Sequence, residues 1–152
     1  VAVGIATLVP VVWFQFTLPE RELFEMSLPL RLVQVILLSY AAAMFYLGVR
    51  AYDMKYFLGI AQWLDYRQSR TAGGQYLQTG GVLAHVRHPW YSGGIAFLWG
   101  ISPYTDVNLL SRIILTAYLI AGALHEEHKL RRQFGDAYRQ YSRRVPRFLP
   151  RR

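Results

Sequence analysis

Long apolar runs separated by short polar stretches dominate the chain. Four runs stand out, at about 1–18, 32–49, 89–102 and 107–124. The second would extend about 27 Å as a helix, close to the thickness of a hydrocarbon core. Pro10 interrupts the first run and would kink a membrane helix without breaking it. That run has no basic segment before it and no small-residue cleavage site, so it is read as a span. The third run is the shortest and contains Gly93 and Gly94, which permit close helix contact. Beyond residue 50 the pattern turns mixed. Tyr52, Tyr56, Phe57, Ile60 and Trp63 recur like one face of a helix, either interfacial or an extension of the second run. Residues 69–81, rich in Gly, Gln, Thr and Ser, read as a loop, and Pro89 suits the first turn of the helix that follows. The pattern predicts an all-α integral membrane protein, a single membrane domain over 1–152. It would have about four transmembrane helices, a long loop at 50–88 and a tail at 125–152 with a cytoplasmic C-terminal helix.

Charge then orients this framework. Hydrophobic residues make up 53% of the chain, yet Lys and Arg exceed Asp and Glu by 17 to 9. Between the first and second runs, Arg21 and Arg31 face Glu20, Glu22 and Glu25, and between the third and fourth there is only Asp106. The long loop holds Arg50, Lys55, Arg67, Arg70 and Arg87, and the tail is strongly basic. The positive-inside rule therefore puts loop and tail in the cytoplasm, in a bacterial or archaeal inner membrane. Arg112 lies near the outer end of the fourth run, where its stem would snorkel to the surface. A soluble nucleic-acid binder would share the basic character but not the four apolar runs, so no nucleic-acid partner is expected. The chain has no cysteine, which excludes disulfides, thiolate metal sites and a cysteine nucleophile.

This topology brings Arg87-His88-Pro89-Trp90-Tyr91, at the start of the third run, to the same interface as Glu126-Glu127, at the end of the fourth. Ionisable groups are costly at membrane depth, so such a cluster points to a functional site. Two carboxylates at a helix C-terminus would face the negative end of the macrodipole and need positive compensation. They could be a solvated pair balanced by Lys129, Arg131 and Arg132, or could hold a cationic or polyhydroxylated ligand. Arg87, Trp90 and Tyr91 suit an interface anchor, which leaves His88 unexplained. His85, His88, His125 and His128 flank the two clusters, but their placement across a helix start argues for no metal. Phe134, Tyr138 and Tyr141 form one stripe of a short helix whose arginines would meet anionic lipid. Gly73-Gly74 and Gly80-Gly81 follow no apolar strand, so a Rossmann-type site is unsupported. Ser92 beside His88 is the only near pair of a nucleophile and a base, and no Gly-x-Ser-x-Gly accompanies it.

The stretch from Gly81 through His85-Val86-Arg87-His88-Pro89 to Tyr91 resembles the Gly…Arg-His-Pro-x-Tyr motif of a membrane methyltransferase superfamily. That superfamily includes isoprenylcysteine carboxyl methyltransferases, phospholipid N-methyltransferases and methanethiol S-methyltransferases. Glu126-Glu127, Leu130, Phe134-Gly135, Tyr138, Tyr141 and Val145-Pro146-Arg147 resemble its second signature, so the likeness covers about residues 78–150. The resemblance implies a non-Rossmann site for S-adenosylmethionine, lined by His85, Val86, His88, Pro89, Tyr91, Glu126, Glu127, Tyr138 and Arg147. Glu127 and Arg87 are the implied catalytic residues, and Glu126 and Glu127 together are implied for binding and proton removal. The acceptor would be small or lipophilic, an isoprenylcysteine carboxylate, a thiol or a lipid amine, entering from the bilayer. Two alternatives remain open: a non-catalytic assembly or lipid-binding module of the same fold, and a nicotinamide-dependent reductase relative. Oligomeric state is open as well.

Overall fold

The computed structural model describes residues 17–52 and 76–150, together with 9, 10, 13, 63, 64 and 67. Most of the first apolar run, and the mixed face around Tyr56, Phe57 and Ile60, lie outside the described residues. Three helices carry the rest: α1 (Leu28–Ala51), α2 (Pro89–Gly100) and α3 (Asp106–Arg144), with a 3-10 turn at Gly81–Ala84 before α2. Among the described residues the only β pairing is an isolated bridge between Glu22 and Thr105. The all-α expectation holds.

Small residues set the packing. On α1, Ala41, Met44 and Gly48 are buried at helical spacing, and on α2, which packs against it, Pro89, Ser92, Gly93, Ala96 and Gly100 are buried. A Cβ at Gly93 would lie 3.0 Å from that of Met44, one at Gly100 would lie 2.9 Å from Leu38, and one at Gly48 would collide with the Trp90 indole. Close backbone approach of this kind substitutes for a hydrophobic driving force between helices in lipid. On the other side of α2, Gly94 faces Leu119 and Gly122 faces Tyr91. The Trp99 indole donates to Thr116 across the same interface at 3.0 Å.

α1 and α3 are long and apolar enough to cross a membrane, and only 17% of each apolar window is buried in the protein. Leu32, Val35 and Ile36 of α1, and Leu110, Ile113 and Ile114 of α3, point their side chains outward. Helices buried in a soluble core would not do this; hydrocarbon is the solvent that suits them. The third run departs from expectation. As the 12-residue α2 it reaches only about 18 Å, short of a hydrocarbon core.

At the end of the bundle away from Glu127, α3 opens on a capping box, Thr105 and Asn108 exchanging side-chain and backbone bonds of 3.1 and 3.0 Å. Arg112 does not snorkel. It is 5% exposed, donates to the Pro103 carbonyl at 3.0 Å and lies 4.0 Å from the Tyr104 ring centroid. A carbonyl and an aromatic face compensate the cation more cheaply there than a reach through lipid.

α3 differs most from the sequence reading, because it does not end near residue 124. It runs through Glu126 and Glu127 and breaks only at Gly135, with φ 54° and ψ −124°, before resuming to Arg144. The two glutamates are therefore helix-interior, about two turns before the break, and the expected clash with a helix C-terminus does not arise. The break redirects the chain so that Tyr138 and Tyr141 return to the bundle, Tyr141 donating to the Leu83 carbonyl at 2.6 Å. Gly135→Ala should lower stability by about 1–3 kcal/mol, because this backbone region is nearly closed to side chains. Since nothing lies within 4 Å of the added Cβ, the cost is conformational. Gly80→Ala, at φ −90° and equally open, is the control whose melting temperature in detergent should not move.

Candidate functional site

Three segments converge at one end of the bundle. The first is the link between the 3-10 turn and α2, carrying Arg87 and His88. Pro89 fixes it at the first position of α2, and Val86, 0% exposed, packs with Met44, Val82 and Leu83. The second is the middle of α3, with Glu126 and Glu127. The third is the strap after α3, residues 145–149, which lies along the first. The Arg87 amide donates to the Pro146 carbonyl at 2.9 Å and the His88 amide to the Arg147 carbonyl at 3.1 Å. Ser92 donates to the next carbonyl, that of Phe148, at 2.6 Å.

Glu127 sits at the centre, 3% exposed. Arg147 grips it with a two-pronged fork, Nε to Oε1 at 2.9 Å and Nη2 to Oε2 at 3.0 Å. Arg87 Nη1 approaches Oε1 to 2.7 Å from the opposite segment, and Arg131, one turn along α3, comes to 3.5 Å of Oε2. His88 Nε2 stands 3.4 Å away. Burial alone would raise the pKa of this carboxyl. The Arg147 hydrogen bonds and the charges of Arg87 and Arg147 outweigh it and hold Glu127 below the usual carboxylate range. A carboxylate so engaged is a poor proton acceptor.

Glu126 lives in a different environment. Its side chain is 38% exposed, 3.8 Å from His88 Nδ1. Burial raises its pKa, and a hydrogen bond with Tyr91 offsets this only in part. His88, at 2% exposure, is driven down to about 4, by burial first and then by Arg87 and Arg147, with Glu127 pulling the other way. Neutral imidazole is therefore the form between the two glutamates at neutral pH. Several buried polar atoms around this point lack a hydrogen-bond partner among the described residues. They are Arg87 Nε and Nη1, both His88 ring nitrogens and the Tyr138 hydroxyl. Arg87 Nη1 touches Glu127 as an ion pair without hydrogen-bond geometry. Native interiors seldom leave so many polar atoms without a hydrogen bond, and a polar ligand would engage them.

Of the residues read from sequence, Arg87, His88, Tyr91, Glu126, Glu127, Tyr138 and Arg147 come together. Pro89 and Val86 hold the segment in place, Val86 as core. His85 is exposed, with no ion pair or side-chain hydrogen bond to the cluster, as are His125 and His128, so the four histidines do not converge. Sequence reasoning passed over Tyr40 and the carbonyl of Phe148. Ser92 is no nucleophile: its hydroxyl is held between Tyr40 and that carbonyl. A lone tyrosine in an apolar run gives no signal of such a partner 108 residues away.

Known proteins share this sequence pattern. A methanethiol S-methyltransferase of Bradyrhizobium diazoefficiens is 42% identical over 65 residues, 43% of this chain and 23% of that protein. One from a Pseudomonas species is 31% identical over 94 residues, 62% of the chain and 36% of the relative. A protein-S-isoprenylcysteine O-methyltransferase of Schizosaccharomyces pombe is 34% identical over 79 residues, 49% of the chain and 33% of the relative. The chain is thus similar in sequence to membrane methyltransferases of the thiol and isoprenylcysteine kinds. No family model matches the chain, and neither does any solved structure. The chain spans little more than a third of these relatives at most.

In this membrane methyltransferase relative, Glu127→Ala should cost roughly 3–5 kcal/mol, since it strands the buried Arg87 beside Arg147. Glu126→Gln should cost about 1 kcal/mol or less. Denaturant unfolding in detergent micelles separates the two, and equal effects would contradict the division of roles. The buried imidazole sets a pH dependence as well. Unfolded His88 takes a proton near 6.5 and folded His88 only near 4, so stability should decline as pH falls between those values. The contribution of Glu127 persists there and is lost only as pH falls through its own depressed pKa. Melting curves across pH should show the first decline, and His88→Gln should flatten it.

Proposed function

We propose that this chain binds S-adenosylmethionine at the Arg87–His88–Glu126–Tyr138 cluster and transfers its methyl group to a thiol-bearing or isoprenylcysteine-type acceptor at the membrane. The observation that carries the reading is the set of buried polar atoms without a hydrogen bond beside a half-exposed carboxylate, in a chain similar to methyltransferases. That donor set fits the cofactor's amino-acid end and ribose. Arg87 and His88 offer N–H groups to a carboxylate, and Glu126 offers oxygens to an ammonium or a diol. S-adenosylmethionine supplies an activated methyl group on a sulfonium.

The chain's own residues do the rest. Arg147, Glu127 and Arg87 form a rigid ionic floor that fixes the geometry of Arg87 and His88, and positioning is the larger part of a direct displacement. Glu127 acts in this way and does not remove a proton, because its oxygens are already committed to guanidinium groups. Where the acceptor is a thiol, one proton must leave sulfur. Glu126 is the carboxylate with the exposure and the raised pKa to receive it. The apolar outer faces of α1 and α3 suit an acceptor that arrives sideways from lipid. The basic residues of the 50–88 loop and the tail support a site on the cytoplasmic side, where exposed Arg139, Arg143 and Arg144 would rest on anionic headgroups.

Calorimetric titration of S-adenosylmethionine and S-adenosylhomocysteine into the protein in nanodiscs tests this. Micromolar binding is expected, weakened at least about tenfold, or about 1.4 kcal/mol, in Glu126→Gln and in Arg87→Gln. Folded protein that binds neither compound would defeat the reading.

A further inference from the structure

The strap owes its position to three successive carbonyls, and the third differs from the first two. Pro146 and Arg147 accept from backbone amides, bonds that any sequence could make. The Phe148 carbonyl instead lies within hydrogen-bond reach of side chains from two other helices: Ser92 of α2 at 2.6 Å and Tyr40 of α1 at 3.2 Å. The two hydroxyls also lie 2.6 Å from each other. Two hydroxyls carry two protons, so only two of these three contacts are hydrogen bonds at a time. The two shortest make a chain, Tyr40 donating to Ser92 and Ser92 donating to Phe148, which leaves the Ser92 proton for the carbonyl. Ser92 is 4% exposed, so water does not compete for the arrangement.

We infer that Tyr40 and Ser92 are positioning residues for the site, acting through the strap. Phe148 follows directly on Arg147, whose guanidinium forks onto Glu127. The Phe148 ring lies 6.3 Å from that of His88. Fixing the Phe148 carbonyl therefore fixes, within one residue, both the fork that holds Glu127 and one wall beside His88. Without the two hydroxyls the carbonyl is left unpaired in a poorly hydrated place, and the strap relaxes outward to find water. This inference rests on the proposed cofactor site for its functional consequence, but its structural part stands apart from it.

The experiment has two arms. In the ligand-free protein in nanodiscs, strap exchange is read at the Arg87 and His88 amides, which donate to the Pro146 and Arg147 carbonyls, and is compared among wild type, Tyr40→Phe, Ser92→Ala and the double variant. Ser92→Ala should raise exchange in the strap at least about tenfold and leave α1 and α2 protected; Tyr40→Phe, which keeps the helix contact and the fold, should raise it less. In the second arm, S-adenosylhomocysteine affinity should fall about five- to tenfold in Ser92→Ala. The loss should be non-additive with Arg147→Gln, because both act on one fork. Unchanged strap exchange in Tyr40→Phe and the double variant overturns the inference. So does a loss of affinity fully additive with Arg147→Gln, the signature of a structural effect elsewhere. If the wild type binds no cofactor, the functional reading falls, and the exchange arm still decides whether the hydroxyl pair holds the strap.

Discussion

A negative charge buried to 3% exposure has to be neutralised by the protein itself, and Glu127 meets that demand with groups from three parts of the chain. Arg131 comes from its own helix, Arg87 from the link before α2, and Arg147 from the strap after α3. Desolvating a carboxylate costs several kcal/mol, recovered only when the geometry is good and the remaining lone pairs are used. The fork from Arg147 supplies that geometry. The positions of Arg87 and His88, and of the strap laid along them, follow from this one requirement.

The opposite end of α3 is organised around a buried charge of the other sign. Arg112 and Glu127 stand 15 positions apart, about 22 Å along the helix axis. Each charge is compensated within the protein, Arg112 by a carbonyl and an aromatic ring, Glu127 by guanidinium groups. Between them α3 is apolar and faces outward. The apolar stretch of the helix is thus pinned on both sides by polar contacts and held between them by small-residue packing against α2. At the Glu127 end, adjacent carboxylates have separate duties: one is locked in ion pairs, and its neighbour is half exposed with donors around it.

Much of this is legible in the residue pattern. Long apolar runs mark α1 and the first part of α3, because lipid-facing helices need uninterrupted hydrophobic length. Arg87-His88-Pro89 and Glu126-Glu127 stand out because charge beside such runs is expensive. What is not legible depends on direction rather than composition. A change from apolar to polar text suggested that α3 stops near residue 124. The helix continues because leaving the apolar region does not end the i to i−4 ladder; only Gly135 does. The third run, by contrast, is read nearly to the bounds of its helix, 89–102 against Pro89–Gly100. The roles of Ser92, Tyr40 and Arg112 depend on partners distant in sequence, and hydropathy carries no trace of them.

The order of the charges along the chain has a consequence for biosynthesis. Arg87 is made first, then Glu127, and Arg147 only after both. Glu127 therefore follows one of its cations along the chain and precedes two, Arg131 and Arg147. The Arg147 guanidinium is the last of the four groups to be made, and it closes an ionic knot whose other members are already synthesised. That order provides a cation for the most expensive group in the protein before the group itself exists.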